Sequence, residues 1–160
     1  MEICELSDKY NEQVKDLLVE LQEYIITIDK YNLNDLSKDY REKYFKYMYN
    51  DCKQNQGKIF VAIENDECLG IIAGYVQKYN RRDKLDYICP KKGVVSELIV
   101  KSSIRGKSVG SKLLSSIENY FKSIYCEFVQ LDAFAYNTDA INFYYKSGYE
   151  NRMITMFKKI

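Results

Sequence analysis

The sequence contains no histidine and no tryptophan, and only one of its 160 residues is a proline. Without histidine, the chain has no side chain that ordinarily titrates near neutral pH, so a general base must come from another residue type. The five cysteines are scattered, are odd in number and form no C-x-x-C pair. Because neither the histidines nor the cysteine spacing of a zinc site is present, we predict no metal.

The N-terminus lacks a basic stretch followed by an apolar one, so we expect no signal peptide. Free thiols in such a chain indicate a reducing compartment, and we predict a cytoplasmic protein. No apolar run approaches the roughly 20 residues that a membrane helix needs, which argues against a membrane partner. The length fits one domain over residues 1–160.

An excess of either charge is also missing, since 24 Lys and Arg residues face 23 Asp and Glu residues and leave a net charge of +1. A general nucleic-acid binder carries a broad basic excess. Nucleic acid is therefore not an expected partner.

Hydrophobic periodicity predicts two helices in the first third of the chain, at 11–28 and 37–54. The second has an aromatic face, which lines a substrate cleft or, as is usual at this spacing, packs against a sheet. The residues of that face are Tyr40, Tyr44, Tyr47 and Met48.

Alternating or continuous apolar runs predict the strands. They lie at 2–6, 57–64, 68–78, 94–100 and 127–135, with a last strand in the tail 149–160. The strand at 94–100, a helix at 109–124 and the strand at 127–135 form a βαβ unit with a right-handed crossover and a parallel pair. The second and third strands look like an antiparallel hairpin, so the sheet is mixed.

The stretch 105–110, RGKSVG, lies between a strand and the helix of that unit. A helix start has unpaired N–H groups and partial positive charge, and glycines let a bulky anion approach the backbone. The stretch is therefore either a phosphate site or a plain surface turn capped by Ser108. It matches neither the P-loop nor the G-x-G-x-x-G dinucleotide motif.

Two motifs, ELIVKSSIRGKSVGSKLL and NTDAINFYYKSGY, together resemble the GNAT superfamily of acetyl-CoA-dependent N-acetyltransferases over about residues 57–150. The resemblance implies an α/β fold: a GNAT-like mixed, mostly antiparallel sheet with a central βαβ crossover and flanking helices. It also implies acetyl-CoA as co-substrate. The stretch 105–110 fits the family pattern Q/R-x-x-G-x-G/A, with Ser108 in place of the first glycine.

The resemblance implies a set of cofactor-binding residues. Backbone groups of a splayed strand would bind the pantetheine arm and acetyl carbonyl, at Leu98, Ile99 and Val100. A loop would cradle the pyrophosphate, through Arg105, Gly106, Lys107, Ser108, Val109, Gly110 and Ser111. Asn137 would bond the cofactor arm. If position 108 needs a positive φ, its serine costs about 1–2 kcal/mol.

The resemblance also implies catalytic residues. Tyr144 aligns with the tyrosine that protonates the leaving thiolate. Glu97 lies where some members of the family place their base, and Asp132 is a second candidate. For both carboxylates, the alternative is an exposed or paired strand residue.

The function implied is transfer of an acetyl group from acetyl-CoA to a primary amine by direct attack in a ternary complex. The alternative is a non-catalytic module that binds acetyl-CoA or a partner on the same fold. We expect the acceptor to be a small-molecule or peptide amine, and the sequence leaves open whether the chain forms a homodimer. Three acidic residues either contact a cationic acceptor or cap helices and remain solvated; they are Asp29, Asp35 and Asp39.

Overall fold

Five strands form one mixed sheet in the computed structural model, which describes residues 1–160. Their order in the sheet follows the chain: β1 (Glu2–Glu5), β2 (Lys58–Glu64), β3 (Glu67–Val76), β4 (Lys92–Val100) and β5 (Phe128–Leu131). The first three pairings are antiparallel and the last is parallel. The predicted fold class is therefore confirmed, with the βαβ crossover joining the last two strands.

Helices cover both faces of this sheet. They are α1 (Asn11–Ile28), α2 (Tyr40–Gln54), the short α3 (Asp83–Asp86), α4 (Val109–Ser123) and α5 (Thr138–Lys146). The long helices begin and end within about three residues of the predicted positions, because each carries an apolar stripe at helical spacing. No helix combines the length and the apolar character that crossing a membrane requires.

The core is divided between the two faces of the sheet. On one face, α1 and α2 cover the sheet with buried residues such as Val14 and Met48. On the other face, α4 buries Leu113, Ile117 and Phe121. The Phe121 ring lies so close to β4 that a Cβ added at Gly93 would be 2.4 Å from it. Glycine at this position therefore lets α4 pack directly on the strand.

A β-bulge in β4 decides which side chains face which helix. Gly74 of β3 pairs with Val95, whereas the neighbouring Ala73 pairs with Glu97, so Ser96 is an extra residue in β4. A bulge changes the side of the sheet to which the following residues point. Val95 consequently packs on the α4 side, and Glu97 points to the α2 side, where it meets Tyr44.

Two sequence expectations about strands are wrong. The tail has no strand over residues 151–160, and its apolar residues, including Met153 and Phe157, are exposed. Alternation of apolar residues is a local property, whereas a strand also needs a partner edge. The strand predicted at 127–135 is shorter, because β5 ends at Leu131.

Candidate active site

The strands β4 and β5 separate halfway along β4. Their parallel pairing runs only from Lys92–Phe128 to Val95–Leu131, while β4 continues to Val100. The second half of β4 therefore has a strand partner on the β3 side alone. The side facing the gap presents free backbone groups that a ligand can bind.

Backbone alternation identifies which residues face this gap. The Lys101 N–H donates to the Leu69 carbonyl at 2.9 Å. In an antiparallel pair every second residue bonds to the same neighbouring strand, so the residues two and four positions before Lys101 also bond to β3. Ile99 is one of them, and its side chain is buried in the core. The backbone groups of Leu98 and Val100 point toward the gap. Of the three strand residues named from the sequence, these two are the ones whose backbone can reach a ligand there.

The start of α4 lies at the end of this gap. Gly106 has φ of +84° and a Cβ there would meet nothing within 4 Å, so the loop is open at this point. Ser108 has φ of 61° and ψ of 10°, the left-handed conformation, and its side chain makes no cap. The N–H groups of Val109, Gly110 and Ser111 have no hydrogen-bond partner. These groups, and the dipole of a 15-residue helix, favour an anion.

Arg105 lies between this loop and the gap. Its Nε donates to the Val100 carbonyl at 3.3 Å, and its guanidinium lies 5.3 Å from the centre of the Tyr24 ring. Lys107 is exposed. Both cations are therefore beside the free N–H groups, although Arg105 is held against β4.

Asn137 caps α5. Its Oδ1 accepts from the Ala140 N–H at 3.3 Å and from the Tyr24 hydroxyl at 3.4 Å. The oxygen is thus occupied by the fold, which leaves the amide nitrogen as the group that can bind a cofactor arm. Tyr24 links this cap to Arg105 across the gap.

Glu97 is the one buried charged residue, with a relative exposure of 7%. The Tyr44 hydroxyl donates a short hydrogen bond to its Oε1. Burial raises the pKa of Glu97 from 4.5 to about 7, although the hydrogen bond from Tyr44 partly opposes this rise. A carboxyl group with a pKa near 7 exchanges protons readily at neutral pH, which is what a general base requires.

Glu97 lines a cavity of about 250 Å³ between α2, β3 and β4. Most of the lining comes from one face of α2 and from the bulge region of β4. The full set is Tyr44, Tyr47, Met48, Asp51, Tyr75, Ser96 and Glu97. The aromatic face of α2 is therefore divided, because Met48 is buried in the core whereas Tyr47 is 67% exposed and lines the cavity.

Tyr144 lies on α5 and is half-buried between Phe143 and Tyr149, with ring centroids 5.4 and 6.0 Å away. Burial, and to a smaller extent the Glu97 carboxylate, raises the pKa of Tyr144 to about 12. The two proposed catalytic groups are thus close enough to interact electrostatically. Tyr145 is 47% exposed and accepts from Asn151 at 2.7 Å, so the adjacent tyrosines point in different directions.

The other carboxylates named from the sequence do not enter this cavity. Asp132 is exposed just beyond the end of β5. Asp29 accepts from the N–H groups of the turn after α1 at 2.6–3.0 Å, and Asp39 pairs with Lys43 at 2.7 Å. Asp35 accepts from the next residue's N–H at 2.7 Å. Asp29 and Asp35 thus bind N–H groups of turns, whereas Asp39 precedes α2 but makes no side-chain cap on it.

Sequence reasoning missed three residues of the cavity, Asp51, Tyr75 and Ser96. Asp51 continues the α2 stripe that contains Tyr44 and Tyr47, since it lies seven residues after Tyr44 on the same helix face. That spacing is a signal from which Asp51 could have been found. Tyr75 and Ser96 depend on the pairing of β3 with β4 and on the bulge, which leave no local signal.

Comparison with known proteins agrees with this arrangement. A model of the acetyltransferase (GNAT) family matches residues 24–149. An uncharacterized N-acetyltransferase from Methanocaldococcus jannaschii is 36% identical over 63 residues, which are 39% of this chain and 40% of the relative. Glucosamine 6-phosphate N-acetyltransferase of Arabidopsis thaliana is 36% identical over 70 residues, which are 44% of this chain and 45% of the relative. The chain thus matches less than half the length of these curated relatives.

Solved structures extend the similarity to the whole chain. A mutant of a Bacillus halodurans protein superposes with a TM-score of 0.86 at 16% identity, covering 100% of this chain and 99% of the other. The Arabidopsis thaliana glucosamine-6-phosphate N-acetyltransferase gives 0.69 at 21% identity, covering 99% and 97%. An aminoglycoside N-acetyltransferase in complex with CoA gives 0.68 at 14% identity, covering 99% and 100%. At these identities, the superpositions establish the fold.

Proposed function

Because this chain belongs to the GNAT family of acetyltransferases, we propose that it transfers an acetyl group from acetyl-CoA to a primary amine by direct attack in a ternary complex. The observation that carries the proposal is the position of Glu97. Its carboxyl group is buried in a cavity at the splayed half of β4, with a pKa raised by burial to about 7. A buried carboxyl group with no cationic partner is expensive for the fold, which supports a role in proton transfer.

The residues around the gap fit an elongated anionic co-substrate. Free N–H groups at the start of α4, together with Lys107, would hold the pyrophosphate. The open loop at Gly106 leaves room for it, and Arg105 would add charge by releasing Val100. The backbone of Leu98 and Val100 would bind the pantetheine arm, and the Asn137 amide nitrogen would contact it. When bound, acetyl-CoA supplies an activated acyl carbon as a thioester.

The role of Glu97 follows from the charge of the acceptor. An alkylamine with a pKa of about 10.4 is mostly protonated at neutral pH, which imposes a penalty of roughly 4 kcal/mol on attack. The Glu97 carboxylate accepts a proton from the bound ammonium and so provides the neutral amine. Tyr44 positions this carboxylate through its hydrogen bond to Oε1.

Tyr144 and a backbone N–H act on the other side of the reaction. A pKa of about 12 keeps Tyr144 protonated at neutral pH, so its hydroxyl can donate to the departing sulfur. Burial is the main cause of this high pKa, and the Glu97 carboxylate adds to it. The Leu98 N–H, which faces the gap, would stabilise negative charge on the acetyl oxygen.

The experiment that tests the proposal is release of free CoA thiol from acetyl-CoA in the presence of a panel of primary amines. We expect amine-dependent release, and we expect acetyl-CoA to raise the melting temperature by binding the folded state. Thermal stabilisation without thiol release from any amine would favour a non-catalytic acetyl-CoA-binding module.

Five cysteines without a disulfide support the reducing cytoplasm as the compartment.

A further inference from the structure

The cavity that Glu97 lines has a second carboxylate in its wall, that of Asp51. Tyr44, which holds Glu97, and Asp51 lie seven residues apart on α2. A helix rises 1.5 Å per residue, so these positions are about 10 Å apart along its axis. Both residues line the cavity, but Asp51 is exposed to solvent and Glu97 is buried.

Asp51 has no partner that explains its position. It forms no ion pair and its side chain makes no hydrogen bond, whereas Glu12, Asp16 and Glu42 on α1 and α2 are paired with Lys15 or Arg41. Asp51 also lies in the last turn of α2, where the helix dipole disfavours an anion. The residue therefore costs the fold stability at a place where it faces a cavity.

The rest of the lining favours a cation. Three tyrosines, Tyr44, Tyr47 and Tyr75, contribute aromatic surface, and ring faces attract ammonium groups. No lysine or arginine lines the cavity. A phosphorylated amine, such as the substrate named for the Arabidopsis thaliana relative, would find no cation there to bind its phosphate.

We propose that the acceptor is a linear alkyl diamine, with one amino group beside Glu97 and the second, as an ammonium ion, bound by Asp51. An extended alkyl chain advances about 1.25 Å per single bond, so four to six methylene groups separate the nitrogens by about 6–9 Å. That length is within the roughly 10 Å that separates the positions of Tyr44, the partner of Glu97, and Asp51 along α2. The proposal rests on the proposed function, because acetyl transfer to an amine must occur for the acceptor to matter.

The test compares cadaverine with pentylamine, which has the same chain but one amino group, at saturating acetyl-CoA. We expect kcat/KM for cadaverine to exceed that for pentylamine about tenfold, mainly through KM, as the strength of an ion pair in an aromatic cavity predicts. Asp51→Asn should remove most of this preference without lowering the melting temperature.

Glu127→Gln provides the matched control variant. It removes the same unit of charge from an exposed carboxylate without an ion pair, at the end of β5 away from the gap. This variant should keep the preference for cadaverine.

Three results would overturn the diamine proposal while leaving acetyl transfer intact. They are equal use of cadaverine and pentylamine, better use of glucosamine 6-phosphate than of either, and an unchanged preference in Asp51→Asn. Absence of thiol release with every amine would overturn both the diamine proposal and the proposed function.

Discussion

Replacing Glu97 by glutamine separates the catalytic role of this carboxyl group from its cost to the fold. Glutamine keeps the shape and can still accept from Tyr44, but it cannot accept a proton. We therefore expect kcat/KM for acetyl transfer to fall about 10²–10⁴-fold, the range for loss of a general base. In the unmodified protein, kcat/KM should rise with pH to an inflection at about 7, the pKa of the buried carboxyl group, and this inflection should be absent in Glu97→Gln.

The same substitution should stabilise the fold at high pH. Raising the pKa of Glu97 from 4.5 to about 7 corresponds to about 3 kcal/mol, at 1.36 kcal/mol per pKa unit. The unfolded chain ionises this group above 4.5, whereas the folded protein ionises it only above about 7. Stability of the unmodified protein therefore falls as pH rises between these values, and the full loss is present above the folded pKa.

Urea unfolding of both proteins at about pH 5 and about pH 8 measures this difference. We expect Glu97→Gln to be more stable by up to about 3 kcal/mol at the higher pH and by much less at the lower one. Near-normal turnover in the variant, or an equal stability difference at both pH values, would refute the assignment of a buried base with a raised pKa.

The remaining predictions concern groups around Glu97 and the cofactor loop. Tyr144→Phe should lower turnover roughly tenfold or more with little change in acetyl-CoA affinity, measured by thiol release and calorimetry; equal turnover would remove its role. Tyr44→Phe should move the inflection of the pH–rate profile above 7, because the hydrogen bond from Tyr44 lowers the pKa of Glu97 and its loss should raise that pKa; a shift to lower pH would contradict this. Ser108→Gly should raise the free energy of unfolding by about 0.5–1 kcal/mol, since glycine adopts positive φ without strain; a less stable variant would show that the serine is not strained.

The long helices and the first five strands along the chain could be predicted from the sequence because their signals are local. The stripe of α1 and that of α4 each specify one buried face, and the helix boundaries follow from them. Gly148 has φ of +88° directly after α5, as expected of a helix-terminating glycine. Ser108 has φ of 61°, so the condition under which a serine is expected to be strained there is met.

The cavity beside Glu97 could be predicted only in part, because it depends on pairing between distant segments. Glu97 was found from its place in the motif, but its burial depends on the bulge at Ser96, which only the register with β3 reveals. Tyr75 enters the cavity for the same reason. The aromatic stripe on α2 is visible in the sequence, but the sequence alone does not decide whether it packs in the core or lines a cavity. That depends on β3 and β4, whose residues form the other side of the cavity.

The tail shows where local patterns mislead. Its apolar residues alternate, but they are exposed and form no strand, and the Phe157 ring lies 5.7 Å from the Tyr31 ring in the turn after α1. Whether an alternating segment forms a strand depends on an available edge, which its own sequence does not encode.

A crystal structure of the protein with bound CoA tests the central claim most directly, because acetyl transfer at Glu97 requires the thioester to lie in the gap between β4 and β5. We predict that the diphosphate accepts hydrogen bonds from the N–H groups of Val109, Gly110 and Ser111, with Arg105 released from Val100 and the thiol directed toward Glu97 and Tyr144. A diphosphate bound elsewhere, or Arg105 still bonded to the Val100 carbonyl at saturating CoA, would contradict the account.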